Sequence, residues 1–269
     1  MKTNYYTLIT GASQGFGKAL AIECAKRNMN LFLIDLPRTS LVNLQVFLQN
    51  NFEIKVCSFE MDLSSKEDCD KLVKFIHHQK VELRYLINNA GVLSKGFFNE
   101  VDLHYYLKQI EVNICAPTLL IKLFYDQLKR NSPSGILNVS SLASYFSLPT
   151  KQVYAATKAY LYSLSKSLNL EFRDDNIWVS IVCPGGMNTN PYMCYKNRTM
   201  GWFAKLSIMD PEEVAAITMD AFLERKEVII PGTVNKFYLT LGKLIPQSIR
   251  DTITTREMNR FRTAELSMG

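Results

Sequence analysis

The chain has 269 residues, 47% of them apolar and 21% charged, with a net charge of +6 at neutral pH. This is the profile of a soluble globular protein with a large core, and no apolar stretch approaches the roughly 18–20 residues of a membrane span. The six cysteines (24, 57, 69, 115, 183 and 194) are irregularly spaced and form no C-x-x-C pair. They read as buried reduced thiols rather than disulfides or a metal site, which points to a cytoplasmic setting.

A first strand beginning by Tyr5 leaves no room for a signal peptide. Strand-like apolar runs follow one another at Tyr5–Thr10, Leu31–Asp35, Lys55–Glu60, Tyr85–Asn88, Gly135–Val139, Trp178–Cys183 and Val228–Ile230. Segments of helical period separate them: Gly17–Arg27, Ser40–Asn50, Lys66–His78, Leu103–Lys129, Tyr154–Arg173 and Pro211–Arg225. Near-continuous apolar strands alternating with helices predict a mostly parallel, doubly wound (Rossmann) sheet of seven strands with helices on both faces. There is no repeat or linker, so residues 1–269 form a single domain. Residues 186–210 are a long aperiodic stretch rich in Met and aromatic side chains (Met187, Tyr192, Met193, Tyr195, Met200, Trp202, Phe203). Such stretches in compact domains are functional or disordered. Asp210 before Pro211 reads as a helix N-cap. Residues 234–263 form a basic C-terminal extension; from Arg225 onward eight Lys/Arg face four Asp/Glu.

The chemistry concentrates in a few places. Gly11, Gly15 and Gly17 sit at the first strand-to-helix turn, with Ser13, Gln14 and Phe16 among them. Glycines there permit a sharp turn and close approach of backbone and ligand. The exposed N–H groups and the helix dipole suit a pyrophosphate. Tyr154 and Lys158 are four apart on one helix face. A nearby ammonium is expected to lower the phenol pKa and make the tyrosine a general acid/base. Ser141 follows the strand Gly135–Val139, at the sheet end where ligands bind, while Ser140 is expected to point inward. His77, His78 and His104 make no metal constellation.

The run Thr10-Gly11-x-x-x-Gly15-x-Gly17, then Asp62-Leu63, Asn88-Asn89-Ala90-Gly91, Asn113, Ser141, Tyr154-x-x-x-Lys158 and Pro184-Gly185 with Thr189 resembles the short-chain dehydrogenase/reductase family from Thr7 to about Ile230. The resemblance implies that Tyr154 exchanges a proton with the substrate oxygen, that Lys158 lowers its pKa and holds the nicotinamide ribose, and that Ser141 fixes the substrate carbonyl. It implies that Asn113 holds a water linking Lys158 to solvent; the bland alternative is a helix asparagine bonded to backbone. Asn89, Ala90 and Gly91 would pack the cofactor ribose, and Asp62 and Leu63 would flank the adenine unless Asp62 only caps the next helix. Pro184, Gly185, Met187 and Thr189 would line the nicotinamide side. Asp35, ending the second strand, stands where an acidic side chain meets the adenosine ribose, which favours NAD; Arg38 leaves NADP open.

The expected activity is interconversion of a secondary alcohol and a ketone, with 186–210 as an apolar lid for a bulky hydrophobic small-molecule substrate, a steroid-like or long-chain acyl carbonyl. An epimerase or dehydratase, or a non-catalytic NAD sensor or scaffold, are the alternatives. The resemblance implies a homodimer or homotetramer through the helices bearing Asn113 and Tyr154. No nucleic-acid partner is expected, and the C-terminal extension leaves contact with a membrane surface open.

Overall fold

A computed structural model describes residues 5–93, 96–189, 193–195, 197, 205–245 and 255. Tyr192, Met200, Trp202 and Phe203 of the expected lid, and most of the extension beyond residue 245, lie outside them. Seven strands make one sheet: β1 (Tyr5–Thr10), β2 (Asn30–Asp35), β3 (Val56–Glu60), β4 (Glu82–Asn88), β5 (Ser134–Val139), β6 (Ile177–Val182) and β7 (Val228–Ile229). Their order is β3-β2-β1-β4-β5-β6-β7, and every pairing is parallel. The helices are α1 (Gly15–Lys26), α2 (Leu41–Asn51), α3 (Lys66–His78), α4 (Leu103–Ile110), α5 (Ala116–Arg130), α6 (Gln152–Glu171), α7 (Pro211–Leu223) and α8 (Thr233–Leu244).

The strands are buried on both sides because successive residues serve opposite faces. Leu31 and Leu33 join Ile9 and residues of α1, α2 and α7 in one core layer. Phe32 and Ile34 join Leu8 and residues of α3 and α5 in the other. The strand order reverses between β1 and β4, and ligands of such sheets bind in the crevice that opens there at the strands' carboxyl ends.

Three expectations need correction. The helix expected over 103–129 is interrupted by a π turn, Glu111–Cys115. Pro117 has no N–H to offer the carbonyl four residues back, that of Asn113, and its ring crowds that carbonyl; the wider turn relieves the clash. The C-terminal extension begins with a regular helix, α8, which periodicity did not reveal. Only Cys24, Cys69 and Cys183 are fully buried, while Cys115 is exposed. Among the described residues, no helix is long and apolar enough to cross a membrane.

Candidate active site

The glycine turn wraps the entrance of the crevice. Gly11 and Gly15 have φ of +64° and +53°, a region that L side chains rarely occupy. Gly17 serves backbone packing rather than ligand approach, since a Cβ there would fall 2.0 Å from the Gly11 carbonyl oxygen. The ends of β1 and β4 are stapled together. Asn89 Nδ2 donates to the carbonyls of Thr10 and Gly11 (2.9 and 3.0 Å), and Thr10 Oγ1 accepts the N–H groups of Asn89 and Ala90, both at 3.0 Å. Asp35 closes the turn from the other side, its Oδ2 accepting Ser13 N–H (2.7 Å) and its Oδ1 accepting Leu36 N–H (2.8 Å).

These elements enclose a cleft of about 340 Å³ lined by Gly11, Gln14, Gly15, Phe16 and Gly17 at one end and by Tyr154, Lys158, Met187 and Thr189 at the other. Asp35, Asp62, Leu63, Asn89, Ala90 and Gly91 form its walls. Ser13, Asn113, Ser141, Pro184 and Gly185 do not line it; they stand behind residues that do. Asp62 does not cap the following helix, because Ser65 does so by accepting Asp68 N–H. Desolvation opposes its ionisation, but hydrogen bonds from Ser64 and Lys108 outweigh it and hold the carboxyl below its ordinary range.

Near the Tyr154 end, Ser141 lies close enough to the Tyr154 phenol to draw its pKa down, and the Ser141 hydroxyl accepts Ala143 N–H at 3.1 Å. Ser140 points inward and donates to the Lys158 carbonyl (2.8 Å), as expected. Lys158 Nζ donates to the Val139 carbonyl (2.8 Å) and lies 5.8 Å from the centre of the Tyr154 ring. The expected lowering of the phenol by this ammonium is not what the arrangement gives. Burial pushes the Tyr154 phenol above its ordinary value, and the nearby Ser141 offsets that only in part. Burial also pulls Lys158 down to about 8, which leaves it mostly protonated at neutral pH.

Asn113 is buried in the π turn with its amide spent on neighbours. Its Oδ1 accepts Val92 N–H (2.8 Å), and its Nδ2 donates to the Val92 carbonyl and to Thr157 Oγ1, both at 3.0 Å. Thr157 in turn donates to the Tyr154 carbonyl (2.7 Å). Asn113 thus ties the loop after β4 to the helix that carries Tyr154. Lys158 Nζ and Asn113 Oδ1 both crowd Gly91, where a Cβ would lie 3.3 and 3.4 Å from them. The sequence reading missed Thr157, Lys108 and Val92. A hydroxyl one residue before Lys158 was the only visible signal.

The segment expected to form a lid is closed at its base. Met187 pairs with Met209 in a parallel bridge, Met209 N–H donates to the Gly186 carbonyl (3.1 Å), and Asn197 Nδ2 folds back to the Met187 carbonyl (3.2 Å). Asp210 precedes α7 but makes no side-chain cap; its Oδ1 accepts instead from Asn188 Nδ2 (3.0 Å), fastening that base. A larger cavity of about 650 Å³ lies between residues 144–149 and α6. Its helix residues Gln152, Ala155, Ala156 and Ala159 are on the face turned away from Tyr154 and Lys158, so the reacting groups are not in it.

Comparison with known proteins agrees with this geometry. The family model described as short chain dehydrogenase matches residues 6–198. The very-long-chain 3-oxoacyl-CoA reductase-like protein of Arabidopsis thaliana is 33% identical over 184 residues, 66% of this chain and 58% of that protein, so the match spans little more than half of that relative. Human estradiol 17-beta-dehydrogenase 11 is 27% identical over 249 residues, 91% of this chain and 80% of its own length. A short-chain dehydrogenase from Sphingobium yanoikuyae, solved with NADPH, superposes with a TM-score of 0.77 at 25% identity, covering 90% of this chain and 96% of that one. With the family model matching well over half of its length and the glycine turn and tyrosine helix meeting in one cleft, this chain belongs to the short-chain dehydrogenase family.

Proposed function

We propose that the protein is an NAD(P)-dependent oxidoreductase interconverting a secondary alcohol and a ketone. The observation that carries this is the meeting of Tyr154 and Lys158, with Ser141 close behind the Tyr154 phenol, in a cleft whose other end is the glycine turn. The cleft fits a dinucleotide: its far end presents helix N-terminal amides beside glycines where side chains would stand, and its wall carries the Asp35 carboxylate. When bound, the nicotinamide cofactor supplies the two-electron transfer. The chain's own residues do the rest. Ser141 donates to the substrate oxygen, and Tyr154, kept neutral by burial, delivers its proton there during reduction. In oxidation Tyr154 must first lose that proton, and Lys158, whose Nζ approaches Asn113 Oδ1 beside Gly91, stands on the route by which a water held by Asn113 would carry it away.

Asp35 favours NAD. Its oxygens are oriented by Ser13 and Leu36 N–H groups, and a fixed carboxylate accepts from a ribose hydroxyl and repels a 2′-phosphate. Met187, Met193, Tyr195 and Leu206 around the lid favour an apolar ketone, a class named among the relatives as steroid and long-chain acyl substrates. Leu119, Leu123 and Tyr160 stand exposed on α5 and α6, which supports pairing of two copies through those helices. The buried thiols of Cys24, Cys69 and Cys183 accord with a cytoplasmic location. The test is Tyr154→Phe: NADH binding is retained and ketone reduction is lost. Turnover near the wild-type rate in that variant refutes the mechanism.

A further inference from the structure

The C-terminal helix α8 packs behind the site in two places, each time at a glycine: on the segment leading to Met187 and on the one following Ser141. Near its start, Asn235 is 1% exposed and bears on Gly185, where a Cβ would fall 2.7 Å from its Oδ1 and 2.9 Å from the Ser207 carbonyl oxygen. Its Nδ2 donates to the Pro231 carbonyl (2.8 Å), while its Oδ1 is buried with no hydrogen-bonding partner among the described residues. Gly232, at φ +85°, makes room beside it: a Cβ there would be 2.7 Å from Met209 Sδ and 3.2 Å from Asn235 Nδ2. Asn235 therefore backs the segment that leads to Met187 and Thr189 in the cleft, and it also meets the base of the segment expected to form a lid. Near the end of α8, a Cβ on Gly242 would lie 2.7 Å from Cε1 of Phe146, which follows the 3₁₀ turn Leu142–Tyr145 begun by Ser141.

The two contacts differ in stiffness. The Asn235 amide meets Gly185 beside the Ser207 carbonyl, and its hydrogen bond to Pro231 limits its movement; Gly242 meets the tip of a ring, which can swing aside. An unpaired buried carbonyl oxygen is costly, and an apolar side chain of similar shape would fill the space without it. What Asn235 adds is its bond to Pro231, which fixes the first turn of α8 while its body presses on Gly185.

We propose that α8 is a strut setting the distance between the nicotinamide-side loop and the Ser141 loop. Asn235 is its positioning residue on the cofactor side, and the Gly242–Phe146 contact is its adjustable end on the substrate side. This rests on the oxidoreductase reading of the cleft.

The test uses full-length wild type, Asn235→Ala, Gly242→Val and Gly242→Val/Phe146→Ala, with melting temperatures followed throughout. Dissociation constants for NADH and NADPH come from fluorescence titration. KM and kcat are measured for the smallest and largest ketones reduced by wild type, from a panel running from cyclohexanone to steroid 17-ketones. Asn235→Ala is expected to bind the preferred nucleotide about tenfold more weakly; Asn235→Ser replaces it should the alanine variant not fold. Gly242→Val is expected to leave nucleotide binding unchanged and to raise KM for the larger ketone about tenfold more than for the smaller, at similar kcat. Phe146→Ala should restore it. Unchanged nucleotide affinity in the Asn235 variant, or equal KM shifts that Phe146→Ala does not correct, overturns the strut alone. A wild-type chain that binds neither nucleotide or reduces no ketone overturns the oxidoreductase reading and the strut with it.

Discussion

Replacing Lys158 by methionine should abolish turnover and yet make the protein more stable near neutral pH. Burial moves the lysine from 10.5 to about 8; at about 1.4 kcal/mol per pH unit, holding it charged in the native state costs about 3 kcal/mol at pH 7. Methionine removes that cost and also the 2.8 Å bond to the Val139 carbonyl, a loss of about 1 kcal/mol. The net gain of about 2 kcal/mol corresponds to a melting temperature higher by about 4–8 °C for a domain of this size. The sign has a pH signature. Between about 8 and 10.5 the unfolded lysine holds its proton while the native one has released it, so wild-type stability rises with pH across that window. The penalty is full below it and gone above it. The advantage of Lys158→Met should therefore be large at pH 7 and shrink to under about 1 kcal/mol by pH 9.5. Thermal melts followed by circular dichroism on cofactor-free protein at pH 7, 8 and 9.5 measure this. A variant that melts below wild type at pH 7, or an advantage that does not shrink with pH, refutes the reasoning.

Other expectations bear on the cleft. Asp35→Asn keeps an acceptor for Ser13 N–H but removes the charge, so the ratio of NAD to NADP affinity should fall about tenfold; an unchanged ratio removes Asp35 from cofactor choice. Gly91→Ala puts a methyl 3.3 Å from Lys158 Nζ and should lower kcat about tenfold while NADH affinity holds, so unaltered kcat argues against a water there. Because burial holds the Tyr154 phenol above its ordinary value, alcohol oxidation should accelerate from pH 7 to 10 as the phenolate forms, while ketone reduction does not. A pH-independent oxidation rate over that range contradicts Tyr154 as the base.

Much of this was legible in the sequence because it is local. The alternation of apolar strands with helical periods gave the sheet, and a four-residue spacing put Tyr154 and Lys158 on one face. The glycine turn announced itself by following a strand and opening a helix. What escaped is long-range. That Asp210 reaches Asn188 rather than capping α7, or that Asn113 grips Val92 and Thr157, depends on which segments the sheet brings together. The direction of the Tyr154 shift was missed for the same reason: a spacing argument sees the ammonium four residues away but not the protein packed around both groups. The π turn could have been read, since Pro117 inside a helical pattern removes the donor for residue 113, and α8 could not, because its apolar positions alternate with outward-facing Phe237 and Leu241.

The closed base of the segment expected to form a lid bears on how such a protein can diversify. The segment from Met187 to Asp210 is pinned at its base by the Met187–Met209 bridge and the Asn188–Asp210 bond. Lengthening such a segment is cheap, about 0.6 kcal/mol for each doubling. Duplicated copies of this gene could therefore exchange or extend the segment between the pins and drift toward new substrates, while the proton-handling groups stay under separate selection.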